Sequence, residues 1–122
     1  MNVPKVSIIT ANYNCENFVG QTIDSVLNQK FKDWEYIIAD DGSTDNSISI
    51  IEQKFKGLQN VKLLKLKSNR GPAYARNQAL NQAQGRYLSF IDSDDLWEPE
   101  FLDNMITFIE EKQITFAYSS YY

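Results

Sequence analysis

Residues 34–55, WEYIIADDGSTDNSISIIEQKF, contain a strand, an acidic turn and a helix in immediate succession. The segment Trp34–Ala39 is rich in β-branched and aromatic residues, which predicts a buried strand. Asp45 can cap the helix that follows, and the apolar side chains of that helix recur at helical spacing. These apolar residues are Ile48, Ile51 and Phe55. The stretch therefore predicts one strand–turn–helix unit of an α/β sheet.

The same alternation continues on both sides of this unit. Further strands are predicted at Val6–Thr10, Val61–Leu66, Tyr87–Ile91 and Ile114–Tyr118. Further helices are predicted from about Asn17 to Gln29, from Pro72 to Gly85, and from Pro99 through Ile109. Regular alternation is typical of a mostly parallel sheet with helices on both faces. The sequence thus predicts a single α/β domain over residues 1–122, with the lysine-containing third strand at an edge.

The composition excludes several classes of function. The 122 residues carry a formal net charge of -4, so no nucleic acid partner is expected. Cys15 is the single cysteine, which permits no internal disulfide. Histidine is absent, so oxygen ligands would have to bind any metal, as Mg²⁺ and Mn²⁺ prefer. With neither a signal peptide nor a run of ~20 apolar residues, the chain is expected to be cytoplasmic.

Polar and acidic residues gather directly after the predicted strands. They occupy residues 11–14, 40–45, 68–71 and 92–95. In an open α/β sheet, ligands bind at the carboxyl ends of the strands, close to the point where the strand order reverses. The sequence therefore predicts a ligand site at that edge of the sheet.

Two acidic motifs in this set each allow two interpretations. Asp92 and Asp94 could approach one divalent cation that also binds a diphosphate, or they could belong to an acidic loop that caps the fourth helix. Asp41, which follows Asp40, could accept a hydrogen bond from a nucleobase, or it could serve only a tight turn. Both interpretations remain open for each motif.

The basic and aromatic residues near this edge are also ambiguous. Arg70 and Arg76 could contact phosphate or remain solvated, and Arg76 could instead pair with Asp41 or Asp92. Tyr13 could stack on a base, or it could be wedged between the first strand and the first helix.

Four segments together resemble family 2 glycosyltransferases. They are VSIITANYN at 6–14, DDGSTD at 40–45, NRGPAYARN at 69–77 and YLSFIDSDD at 87–95. The resemblance runs from Val6 to about Tyr118. It implies the GT-A fold, a Rossmann-like sheet with strand order 3-2-1-4, here truncated after the fifth strand. It also implies inverting transfer of a sugar from a nucleotide donor, usually a UDP-sugar, to a saccharide or glycolipid acceptor, in the cytoplasm or at the inner face of the membrane.

The resemblance also implies roles for individual residues. The nucleotide-binding residues would be Ala11, Tyr13, Asp41, Arg76 and Asp92. Among these, Asp41 would read the uracil and Asp92 would lie near the ribose or the donor sugar. Asp94 would be the main protein ligand of Mn²⁺ or Mg²⁺ on the diphosphate.

The chain departs from the family pattern in two places. The turn that begins at Thr10 lacks the proline that commonly follows the first strand. The general base of the family, an Asp or Glu that takes the proton of the acceptor hydroxyl, lies well beyond the fifth strand, and hence beyond Tyr122. We therefore expect a donor-binding fragment that binds UDP with a metal, turns over inefficiently, and self-associates through an exposed sheet edge.

Three other classes of protein are alternatives to a glycosyltransferase. A receiver-type signalling domain would need an acidic pair after the first strand, an Asp after the third and a Lys after the fifth, and this sequence has none of these. A sugar-phosphate nucleotidyltransferase would need a glycine-rich N-terminal loop, which is absent here. A non-catalytic nucleotide-sugar-binding module remains an alternative.

Overall fold

The computed structural model describes residues 3–113, in which strands and helices alternate. The elements are β1 (Val6–Asn12), α1 (Val19–Leu27), β2 (Trp34–Asp40), α2 (Ser47–Phe55), β3 (Val61–Lys65), α3 (Pro72–Leu80), β4 (Tyr87–Phe90) and α4 (Phe101–Lys112). The strand predicted at 114–118 lies outside the described residues. Within 3–113, no helix has the length and apolar character needed to cross a membrane.

The four described strands form one parallel sheet in the order β3-β2-β1-β4. The central strands β1 and β2 are buried along nearly their whole length. This burial requires cover on both faces. Most residues of the two strands are apolar, and the buried polar ones among them are Ser7, Thr10, Asn12, Glu35 and Asp40. The predicted α/β fold, the strand order and the edge position of β3 are therefore confirmed.

The two faces of the sheet carry separate hydrophobic cores. On one face, α1, α2 and α4 pack around β1 and β2 residues that include Ile8 and Tyr36. On the other face, Ala75 and Ala79 of α3 contact a smaller cluster that includes Ile37. The small alanine side chains allow α3 to lie close to the sheet. With both faces covered, the carboxyl ends of the strands form the open edge where a ligand can bind.

The end of α3 was predicted incorrectly. The helix ends at Leu80, whereas the prediction placed its end at Gly85. Gly85 instead donates its backbone N–H to Ser7 Oγ at 2.7 Å. A Cβ atom at Gly85 would lie 2.6 Å from the backbone nitrogen of Ser7. Glycine is required here because two chain segments approach closely.

Other helix boundaries also differ from the predicted ones. α1 runs from Val19 to Leu27, inside the predicted range, and α4 begins at Phe101 instead of Pro99. The carbonyl of Pro99 accepts a hydrogen bond from the backbone N–H of Lys30 at 2.9 Å. This bond joins the segment before α4 to the segment after α1. Pro72 does open α3, as predicted. The predicted cap Asp45 accepts the Ser47 N–H at 2.9 Å, from the position before the N-cap residue.

The outer edge of β4 has no neighbouring strand within the described part of the chain. Leu88 and Phe90 on this strand are about half exposed. Apolar side chains beside an unpaired edge favour association with another chain segment. Self-association of the chain stays a prediction.

Gln29 ties α1 to the start of α4. Its side chain is fully buried, and its Nε2 donates to the Glu98 carbonyl at 2.6 Å and to the Ser25 carbonyl at 3.1 Å. Its Oε1 accepts the Leu102 N–H at 3.0 Å, in the first turn of α4. This amide therefore provides a partner for the Leu102 N–H and the Ser25 carbonyl, which lie at helix ends where intrahelical partners run out. The Glu98 carbonyl also accepts the Phe101 N–H at 3.0 Å.

Replacing Gln29 with leucine is expected to lower the free energy of unfolding by about 3 kcal/mol, because the Leu102 N–H and the Ser25 carbonyl lose their partners in a buried setting. Urea unfolding followed by circular dichroism measures this change. Gln21→Leu is the matched control, since Gln21 is exposed on α1 and its replacement should change stability by less than about 0.5 kcal/mol. Equal effects of the two substitutions would contradict the assignment.

Candidate functional site

A cavity of about 320 Å³ opens at the carboxyl edge of the sheet. Its volume is in the range of small-molecule sites. It is lined by Ala11, Tyr13, Cys15, Asp41, Asn69, Pro72, Arg76, Asp92, Ser93 and Asp94. All six residues that the sequence analysis assigned to a site are in this wall. The structure thus brings them together, while their binding roles stay predictions.

Two adjacent aspartates, one at the end of β2 and one directly after it, are stabilised by different groups. Asp40 is fully buried and accepts from Asn12 Nδ2 at 2.8 Å, from the Ser43 N–H at 2.8 Å and from Ser43 Oγ at 2.6 Å. These donors offset the cost of burying its charge. Asp40 therefore builds the turn, and Asp41 is the residue that reaches the cavity wall.

Asp41 fixes the entry to α3. It is only 2% exposed, and its two carboxylate oxygens accept the backbone N–H groups of Arg70 at 2.9 Å and Gly71 at 2.8 Å. Each carboxylate oxygen has a second lone pair, so Asp41 can still accept from a ligand. Its role in reading a base is compatible with this geometry and stays a prediction.

Tyr13 is an exposed aromatic residue of the cavity wall. The residue is 42% exposed, so it is not wedged between β1 and α1. The turn that carries it is held by the next residue, Asn14, whose φ of 51° places it in the left-handed region. Asn14 Oδ1 accepts the Thr44 N–H at 2.8 Å, which ties this turn to the one after β2. An exposed ring on a fixed turn is suited to stacking.

Three carboxylates cluster in the loop after β4. One oxygen from each of Asp92, Asp94 and Asp95 can be chosen so that all three lie within 4.8 Å of one another. Asp95 was not predicted as a site residue, although its place beside Asp94 was a visible signal. Three carboxylate oxygens at this spacing fit a hard divalent cation such as Mg²⁺ or Mn²⁺.

Arg76 is the basic residue of the cavity wall. Its Nη2 lies 3.9 Å from Asp92 Oδ1, so of the two pairings considered the structure has the one with Asp92. Both side chains are partly solvated, and the pair therefore contributes little to stability. A guanidinium in this position leaves donors available for an anionic ligand.

Arg70 is not in the cavity wall. Its guanidinium carbon lies 4.6 Å from the centroid of the Tyr74 ring, a cation–π arrangement on the surface. The contribution of Arg70 to the site is its backbone N–H, which binds Asp41. A phosphate contact through the Arg70 side chain is not supported by this geometry.

Four further residues, to which the sequence analysis gave no role, line the cavity: Cys15, Asn69, Pro72 and Ser93. Asn69 and Ser93 lie in the segments 68–71 and 92–95, where the ligand site was predicted. Each lies in a loop after a strand or in the first turn of a helix. Only their position at the carboxyl edge of the sheet could have identified them from the sequence, because their residue types suggest no particular chemistry.

Two buried hydroxyl groups of β1 and β2 fix the start of the acidic loop, residues 91–95. Thr10 Oγ1 donates to the Ile91 carbonyl at 2.7 Å and lies 2.8 Å from the Tyr36 hydroxyl. Because Thr10 donates its one hydroxyl hydrogen to Ile91, the Tyr36 hydroxyl is the donor to Thr10 Oγ1. Burial raises the pKa of the Tyr36 phenol well above its usual value, which keeps this hydrogen in place. The end of β4 is thereby fixed to β1 and β2.

Comparison with known proteins identifies a family. The model described as Glycosyl transferase family 2 matches residues 7–122. The Escherichia coli protein named UDP-Glc:alpha-D-GlcNAc-diphosphoundecaprenol beta-1,3-glucosyltransferase WfaP is 43% identical over 119 residues, which are 96% of this chain and 46% of the relative.

Solved structures share the fold. The crystal structure of S. aureus TarS 1-349 in complex with UDP-GlcNAc has a TM-score of 0.83 at 36% identity, over 89% of this chain and 32% of that one. The mannosyltransferase PcManGT from Pyrobaculum calidifontis, in complex with GDP-Man and Mn²⁺, has a TM-score of 0.81 at 25% identity, over 89% of this chain and 33% of that one. The chain spans about half the length of the curated relatives it matches.

Proposed function

This chain belongs to glycosyl transferase family 2, and from that premise we propose that its cavity binds the nucleoside diphosphate part of a sugar donor, with UDP as the nucleotide. The observation that carries the proposal is the composition of one cavity wall. It combines an exposed aromatic ring at Tyr13, a buried carboxylate at Asp41 and a carboxylate cluster around Asp94.

The nucleobase would occupy the part of the cavity near Tyr13. In this proposal the ring of Tyr13 stacks on uracil, Ala11 lines the same pocket, and Asp41 accepts a uracil N–H. The TarS structure with UDP-GlcNAc and the name of the WfaP enzyme both support a uridine nucleotide. The donor sugar would be a hexose or an N-acetylhexosamine.

The diphosphate would lie between Arg76 and the acidic loop. The cavity wall contributes the carboxylates of Asp41, Asp92 and Asp94 but a single guanidinium, so an anionic diphosphate would be repelled without a cation. We propose that Asp94, with Asp92 and Asp95, holds Mn²⁺ or Mg²⁺, which when bound offsets the negative charge of the leaving diphosphate. The Mn²⁺ in the PcManGT structure supports this choice of metal.

The whole protein is proposed to transfer the sugar with inversion to the hydroxyl of a saccharide or glycolipid acceptor. The glycolipid named in the WfaP relative supports this acceptor class and a place in envelope polysaccharide synthesis at the inner face of the membrane. Inversion needs a general base on the acceptor side. We assign that role to no described residue and place the base beyond Tyr122. In this proposal, residues 1–122 form one donor-binding domain.

Replacing Tyr13 with alanine is expected to weaken UDP binding about tenfold, because stacking on an aromatic side chain contributes ~1–3 kcal/mol per base. Calorimetric titration of UDP in the presence of Mn²⁺ measures the affinity. Tyr13→Phe keeps the ring and should bind as the wild type does. Phe18→Ala is the control, since Phe18 is exposed and lies outside the cavity wall. Wild-type affinity in Tyr13→Ala would exclude stacking on this residue.

A further inference from the structure

Thr22 is a buried residue of α1 whose hydroxyl reaches the acidic loop from the inside of the protein. Its Oγ1 lies 3.0 Å from the Ser93 carbonyl oxygen and 2.7 Å from the Asp95 carbonyl oxygen. A threonine hydroxyl has one hydrogen, so the two carbonyls share it in a three-centre hydrogen bond. These carbonyls belong to the residues on either side of Asp94.

This contact fixes the backbone that carries the carboxylates. The bond from Thr10 to the Ile91 carbonyl holds the start of the loop, and the bonds from Thr22 hold the loop on either side of Asp94. Asp92 and Asp94 are exposed, whereas Ser93 between them is buried. The loop therefore rests with its inner side against α1 and projects its carboxylates outward.

We infer that Thr22 is a positioning residue for the metal site, which sets the direction of the Asp94 and Asp95 carboxylates before the cation binds. The inference rests on the proposed metal-assisted donor site. Groups that orient metal ligands typically change metal affinity by ~10–100-fold when they are removed. Thr22 itself touches neither substrate nor metal, since it acts through the loop backbone.

A purely structural role would have a different signature. Loss of a buried hydrogen bond would lower the melting temperature, but a folded variant would retain its metal affinity. A positioning role predicts a loss of metal affinity in the folded protein. It also predicts that UDP binding measured in EDTA is unchanged, because the base would bind at Tyr13 and Asp41, away from the loop that Thr22 holds.

The test compares variants of the 122-residue chain by calorimetric titration with Mn²⁺ alone, and with UDP in EDTA. Thr22→Val removes the hydroxyl and should weaken Mn²⁺ binding about tenfold while leaving UDP binding in EDTA within about twofold. Thr22→Ser restores the hydroxyl and should restore the Mn²⁺ affinity. Ser25→Ala is the matched control, because it removes a hydroxyl of the same helix that bonds to the Thr22 carbonyl. If Thr22→Val does not fold, Thr22→Ala provides the same test, since it places no added methyl group against the carbonyls.

The outcomes separate this inference from the proposed function. Wild-type Mn²⁺ affinity in folded Thr22→Val or Thr22→Ala, or an equal loss in Ser25→Ala, would overturn the positioning role and leave the donor site standing. A folded wild-type chain that binds no Mn²⁺ would overturn both.

Discussion

Asp94→Asn is expected to weaken Mn²⁺ binding by about 100-fold or more, because a directly coordinating carboxylate should matter at least as much as the groups that orient it. In the presence of Mn²⁺, the affinity of this variant for UDP should fall to the level that the wild type shows in EDTA. We expect this fall because, without a bound cation, the remaining carboxylates of the cavity wall repel the diphosphate. Because Asp94 is exposed, the substitution should leave the free energy of unfolding within about 0.5 kcal/mol.

Calorimetry with Mn²⁺ and with UDP, on the wild type and on two variants, measures this effect. Asp103→Asn is the charge-matched control, since it removes one exposed carboxylate from the first turn of α4, outside the cluster. It should bind both ligands as the wild type does. Unchanged Mn²⁺ affinity in Asp94→Asn, or an equal loss in Asp103→Asn, would contradict the assignment of Asp94 as a metal ligand.

Gly85→Ala is expected to lower the free energy of unfolding by about 3 kcal/mol, near the upper end for overpacking. The added Cβ would lie 2.6 Å from both the nitrogen and the Oγ of Ser7, and 2.8 Å from the carbonyl carbon of Val6. Two of these atoms are backbone atoms of central strand β1, so they cannot move without disturbing its pairing with β2. The bond from the Gly85 N–H to Ser7 would be displaced as well.

Urea unfolding of Gly85→Ala and Gly57→Ala separates the clash from ordinary glycine effects. Gly57 has a φ of 80°, and a Cβ atom there would meet nothing within 4 Å. Gly57→Ala should therefore cost about 1 kcal/mol from backbone strain alone. A loss in Gly85→Ala no larger than that in Gly57→Ala would show that the contact with Ser7 relaxes freely.

The fold was predictable because its determinants are local. The apolar runs of β1 and β2 and the helical spacing of residues such as Ile51 and Phe55 appear in the sequence itself. The strand order was available only through the family resemblance. The helix ends at Gly85 and Pro99 were predicted incorrectly because contacts with Ser7 and Lys30, far away along the chain, determine what those residues do.

The site was predictable to the extent that residue type and strand position decide it. Asp41, Asp92 and Asp94 follow strand ends, and the carboxyl ends of parallel strands meet at one edge. The partners of Asp41 are backbone amides of the β3–α3 loop, which no sequence pattern reveals. Thr22 was equally hidden, since a threonine within a helical stripe suggests packing and gives no sign that its hydroxyl holds a distant loop.

The most direct test of the account is calorimetric titration of UDP into the wild-type chain, once with Mn²⁺ and once with EDTA. We expect UDP to bind with Mn²⁺ and to bind more weakly in EDTA. At a UDP concentration near 100 times its Kd, binding should also stabilise the folded chain by about 2.7 kcal/mol, which appears as a rise in Tm. A chain that is folded by circular dichroism and binds UDP in neither condition would contradict the proposed donor site.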